Sequence, residues 1–107
     1  MSEVWASQLP PEVRELLRVL NRIGYGFVEN LPIAKGRPVL SPPPRIIREL
    51  KLEPGSNRSQ ETKQDFILKG PMLQLVRRLE LIGDGSIPRI EVRGGVPFRL
   101  ILEGLDE

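Results

Sequence analysis

Three arginines, Arg14, Arg18 and Arg22, recur four residues apart. On a helix this spacing lines them along one face, as a row of cations suited to a phosphate backbone. Lys35, Arg37, Arg45 and Arg48 follow and extend the same candidate nucleic-acid surface. The alternative is a solvated face whose arginine stems lie over apolar surface, with Glu15 placed to pair with Arg18. Candidate acid–base carboxylates are Glu29, Asp65, Asp84, Glu91 and Glu103. A catalytic pair needs a separation of roughly 5–10 Å in a cleft, which linear order does not supply. Two G-x-G triplets, Gly24-Tyr25-Gly26 and Gly83-Asp84-Gly85, invite a phosphate-loop reading. A phosphate loop precedes a helix, where free N–H groups and the positive dipole end meet the anion. Both triplets here follow a helical pattern, so they are read as caps and turns.

The absences narrow the chemistry further. The chain contains no Cys and no His. Disulfides, thiolate metal sites and imidazole proton transfer are thereby excluded. No catalytic, metal or cofactor residue is assigned, and a non-enzymatic protein is expected. Sixteen basic and 14 acidic residues leave a net charge of only +2, so charge alone does not argue for a nucleic-acid partner. The length of 107 residues suits one domain, 1–107, with a single core. No apolar run approaches the roughly 20 residues of a membrane helix. The opening MSEVWASQLPPE has no basic stretch followed by an apolar one. Cytoplasmic residence, with no membrane partner, is the expectation.

A self-similarity organises these residues. Under a shift of 59 positions, 13–40 aligns without gaps on 72–99. Identities include Leu16/Leu75, Leu20/Leu79, Ile23/Ile82, Gly24/Gly83, Gly26/Gly85, Gly36/Gly95 and Pro38/Pro97. The matches fall on apolar positions and glycines, where folding constraints are strongest. Repeat one is read as 9–40, a polar and Pro-rich connection as 41–65, and repeat two as 66–103.

Each unit opens with a helix. Val13, Leu16, Leu17, Leu20 and Ile23 recur at helical spacing, as do Met72, Leu75, Val76, Leu79 and Ile82. Pro11 and Pro71 suit a first helical turn, and Leu9 and Leu68 can staple onto Val13 and Met72. Gly24 and Gly83 stand where a helix stops. Strands are expected at 27–33 and 86–92, then turns at Ala34-Lys35-Gly36 and Arg93-Gly94-Gly95, then return strands. In the last one Val96, Phe98, Leu100 and Leu102 alternate with Pro97, Arg99, Ile101 and Glu103. Pro32 and Pro88 lack a ladder donor, which predicts an edge strand or a bulge. Arg45–Leu52 reads as a short helix with Ile46, Ile47 and Leu50 on one side, and a strand is the alternative. Ser56–Gln64 is polar throughout and is expected to be mobile, and the residues after Leu105 to fray.

The pattern Leu20-x-x-Ile23-x-Tyr25-Gly26-x-Val28, followed by Ile33-x-x-Gly36-x-Pro38-Val39, resembles the small uncharacterised bacterial proteins typified by YezD. The likeness implies a helix–hairpin unit and no particular activity. The second copy departs from it with Asp84 in place of the tyrosine. Residues 37–55 are similar to the strand–helix–turn of AbrB-type transcription factors, which implies a dimeric DNA-binding barrel and a helix at 45–52. The polar stretch after it departs from that pattern, which needs another apolar strand there.

The expected fold is a two-layer α+β domain of tandem helix–β-hairpin units (αββ-αββ), with one antiparallel sheet and both main helices on one of its faces. Three functions are carried forward. One is a small regulatory or adaptor protein that binds a protein partner or a second copy of itself. Leu73, Val76 and Leu81 are its candidate interface, because they widen the apolar surface of the second helix. The second is a nucleic-acid-binding regulator using the arginine row. The third is a small-ligand binder or an enzyme without His or Cys chemistry.

Overall fold

Helix α1, Pro11–Ile23, buries Val13, Leu16, Leu17, Leu20 and Ile23, the positions whose spacing marks one helical face. Helix α2, Gly70–Ile82, buries Met72, Leu75 and Leu79 in the same manner. Pro11 and Pro71 lie in the first turn of each helix. Gly24 and Gly83 follow their ends at φ 72° and 68°, a backbone that a side chain would strain. This is a computed structural model, and it describes residues 5–50, 52, 68 and 70–104. The polar segment Ser56–Gln64 and the chain end from Leu105 lie outside the described residues.

Each helix leads into a long strand, β1 at Gly26–Ala34 and β4 at Gly85–Arg93. Two-residue turns follow. Lys35 and Gly36 have φ of 53° and 74°, and Gly94 and Gly95 have 63° and 81°, which matches the right-handed twist of a hairpin. The return strands are β2, Arg37–Pro38, and β5, Val96–Ile101. β1 and β4 pair antiparallel from Gly26/Val92 to Ile33/Gly85 at the centre of the sheet. Helices and long strands of the two halves have equal lengths and begin 59 positions apart, Pro11 with Gly70 and Gly26 with Gly85.

Arg45–Arg48 is a strand, β3, and the helical reading of 45–52 is corrected. It pairs antiparallel with β1, Gly26 facing Arg48 and Glu29 facing Arg45. The cause lies outside the segment. β2 pairs with only two residues at the far end of β1. The backbone groups of Gly26–Glu29 on that edge therefore need partners, and the β-branched Ile46 and Ile47 fit a pleated surface. Gly26 admits the strand, because a Cβ there would collide with the carbonyl oxygen of Ile47.

Pro32 and Pro88 lie on the two central strands, so the edge reading is overturned, and the β1–β4 ladder keeps one register past both prolines, so the bulge reading is corrected as well. Buried positions on β1 step from Val28 to Leu31, and on β4 from Ile87 to Ile90. A strict alternation would have put Asn30 and Arg89 inward. Asn30 takes φ 55° at this irregularity, and the ladder passes over both Asn30 and Pro88 between Glu29/Arg89 and Leu31/Ile87 without a change of register.

One core joins both helices to the inward sheet face: Leu16, Leu17, Leu20, Leu75 and Leu79 meet Val28, Leu31, Ile87 and Ile90. Leu68 is buried in this core and Leu9 packs against it. Among the described residues no polar or charged residue is buried. No described helix is long and apolar enough to cross a membrane.

Candidate binding groove on the open sheet face

Residues of opposite parity to the core occupy the other face of the sheet. Ile47, Phe27, Glu91 and Arg99 form one cross-strand row from β3 to β5, and Arg45, Glu29, Arg89 and Ile101 form the next. Such neighbours interact directly on a pleated surface. The Glu29 carboxylate accepts from Arg89 Nη2 at 2.8 Å and lies 3.5 Å from Arg45 Nε. The Arg89 guanidinium also stands over the Phe27 ring, 4.5 Å from its centroid. Arg99 Nε lies 3.9 Å from Glu91.

Phe98 belongs to this face through a shift of register. Glu91 faces Arg99, whereas Val92 faces Pro97, so Phe98 is the extra residue of a bulge. Pro97 is buried and Phe98 is 47% exposed. The alternating residues Val96, Phe98, Leu100 and Leu102 do not share one face: Val96 and Leu100 pack on the core, and Phe98 and Leu102 are exposed. The Phe98 ring carries Arg93 at 4.1 Å and Arg99 at 5.4 Å from its centroid. Cation–ring contacts of this kind contribute roughly 0.5–1 kcal/mol each at exposed sites.

Beside these stacks lies an open groove of about 380 Å³, with Tyr25, Phe27, Ile47, Glu49, Arg93 and Phe98 among its lining. The Glu49 amide donates to the Tyr25 carbonyl at 2.7 Å and holds the end of β3 against the groove. The Tyr25 side chain is half exposed. Its counterpart in the other unit, Asp84, serves the fold instead, since its carboxylate accepts the Lys35 amide at 3.0 Å. The positions matching Phe27, Arg93 and Phe98 are Ser86, Ala34 and Val39. Phe27, Arg93 and Phe98 therefore have no like counterparts at the matching positions of the other end of the sheet.

Two members of the arginine row of α1 share one carboxylate on their own helix. Arg18 and Arg22 both reach Glu15, at 3.8 and 3.2 Å. Arg14 is half-buried, and its Nε is buried without a hydrogen-bond partner. Arg37 lies 3.8 Å from Glu12. Lys35 sits at the β1–β2 turn, Arg45 on the open face beside Glu29, and Arg48 in the groove lining. Of the seven predicted cations, Arg45 and Arg48 reach the sheet-face site. Leu73 and Val76 are half-buried against the chain's own core, while Leu81 is 65% exposed. Among the candidate carboxylates, Glu29 and Glu91 lie on the open face, Glu103 is exposed, and Asp65 lies outside the described residues.

Sequence reasoning missed Phe27, Arg89, Arg93, Phe98 and Arg99. Part of their signal is present as Arg89, Arg93 and Arg99 spaced around the single aromatic Phe98 along 86–101. It becomes readable only once the change of facing at Asn30 and the bulge at Phe98 set which residues point outward. The arrangement offers flat π-faces, guanidinium planes and a shallow groove, which suit binding by stacking and charge. Comparison with protein-family models, curated proteins and solved structures finds no match to this chain.

Proposed function

We propose that this chain is a non-enzymatic binding protein that takes single-stranded nucleic acid across the open face of its sheet. The observation that carries this reading is the Arg93–Phe98–Arg99 stack beside the half-exposed Tyr25. Unpaired bases stack on aromatic rings and on guanidinium planes, and arginines beside them neutralise phosphates. Base–aromatic stacking contributes roughly 1–3 kcal/mol per base, more than an exposed ion pair, so the rings dominate the affinity. A duplex presents no free base faces and would gain only the phosphate contacts.

The test is fluorescence anisotropy of labelled 12-nucleotide single strands, RNA and DNA, titrated at 50 and 200 mM salt. Micromolar binding that weakens with salt and falls on Phe98→Ala supports the reading. No binding at 50 mM salt overturns it.

A second reading, docking of a protein partner or a second copy, draws on Leu50 and Leu52, exposed at 53% and 91% after β3. A monomeric mass by light scattering at tens of micromolar removes the second copy.

A further inference from the structure

We infer that the groove at Tyr25 and Phe98 reads a base, and that the base it prefers is guanine. This rests on the nucleic-acid reading above and adds a specificity to it. The groove is lined by more than rings. Glu49, Glu91, Arg48 and Arg93 are among its lining residues, with the Glu91 carboxylate beside Arg99 and the Arg93 guanidinium over the Phe98 ring. A stacking platform without preference needs only aromatic and cationic groups. Carboxylates there repel phosphate, and beyond the contact of Glu91 with Arg99, base recognition gives them a role in this site.

An ionised carboxylate only accepts hydrogen bonds. Guanine is the base whose pairing edge offers adjacent donors, N1–H and the N2 amino group, in the spacing of two carboxylate oxygens. Adenine and cytosine each offer an amino group beside a ring nitrogen acceptor. Uracil places its one N–H between two carbonyl oxygens, which a carboxylate repels. The opposite edge of guanine carries the N7 and O6 acceptors, which match an arginine bidentately. Carboxylate and guanidinium in one groove thus complement both edges of guanine, while the Tyr25 and Phe98 rings lie beside it for the base plane. The Glu91–Arg99 contact is long at 3.9 Å and leaves the carboxylate able to take a better donor. The other end of the sheet has Pro32 and Ala34 at the positions matching Glu91 and Arg93, so one base-reading groove is expected per chain.

The experiment uses labelled 11-nucleotide oligouridylates whose central base is G, A, C, U or hypoxanthine. A good bidentate contact discriminates by ~1–3 kcal/mol, so the guanine strand is expected to bind about tenfold more tightly than the others. Hypoxanthine lacks only the N2 amino group and should lose most of that preference. Glu91→Gln and Glu49→Gln should each narrow the guanine advantage at least threefold, while binding of the all-uridine strand holds or rises. Glu49 is exposed, so its variant tests the reading even where Glu91→Gln impairs folding. Equal binding of all five strands overturns the base preference and leaves the stacking surface standing. Absence of binding to every strand overturns both.

Discussion

The amide of Gly36 donates to the carbonyl of Gly83 at 2.8 Å. Its counterpart runs the other way, from the amide of Gly95 to the carbonyl of Gly24, at 2.9 Å. Each hairpin turn is thereby fastened to the helix cap of the other unit. These two bonds, with the β1–β4 ladder, make either half incomplete alone. The same crossing brings the Arg93–Gly95 turn to the Tyr25 end of β1 and so assembles the groove.

Gly26 and Gly85 are equivalent in place and share φ near 155°, yet only Gly26 lies under β3. Gly26→Ala should release Arg45–Arg48 from the sheet, with amide exchange of Ile47 and Glu49 rising well above that of the β4–β5 pair. Among the described residues, Gly85→Ala meets only Ile82 Cγ2 at 3.3 Å and should leave β3 protected. Equal exchange of β3 in both variants would deny that β3 docking requires the glycine.

Asp84 and Tyr25 should separate stability from binding. Asp84→Ala leaves the Lys35 amide without its side-chain acceptor and should cost about 1 kcal/mol, read in urea unfolding. Tyr25→Ala removes a half-exposed ring that the fold does not use and should shift stability by less than about 0.5 kcal/mol. Its effect should be seen in nucleic-acid affinity.

Much of this architecture is legible from local pattern. Leu16, Leu20, Leu75 and Leu79 declare their helices by spacing, and Gly24 and Gly83 mark the ends. Gly36 and Gly95 mark the turns. The features that escape are non-local. Ile46-Ile47 fits a short helix or a strand equally well, and the choice is made by the unpaired edge of Gly26–Glu29, far away in sequence. The site was hidden for a related reason. An irregularity at Asn30 and another at Phe98 each invert the parity of the residues beyond them, so alternation alone does not show that Phe98 faces outward. The row Arg14, Arg18, Arg22 was plain to see, but two of its members share Glu15.

The second helix supplies a further contrast. Leu79→Ala opens a cavity in the core, where Leu79 is fully buried, and should cost about 2–5 kcal/mol. Leu81→Ala should change stability by less than about 0.5 kcal/mol. Both are read by thermal and urea unfolding. A large loss from Leu81→Ala at high protein concentration only would reveal a subunit contact there.

Glu29 restrains two arginines of the open face at once. Glu29→Gln removes one negative charge beside Arg45 and Arg89 and should steepen the salt dependence of single-strand binding. The slope of log affinity against log salt should rise by about 0.7 for each additional phosphate neutralised, as measured by anisotropy between 50 and 300 mM salt. An unchanged slope would place these arginines outside the binding surface.

The most direct test compares two charge reversals in one binding assay. One variant carries Arg93→Glu and Arg99→Glu on the open sheet face, and the other carries Arg18→Glu and Arg22→Glu on α1. With folding confirmed by circular dichroism, the sheet-face variant should lose affinity for a 12-nucleotide single strand by at least about tenfold, and the helix variant by less than threefold. The reverse order, or equal losses from both, would contradict the assignment of binding to the open face of the sheet.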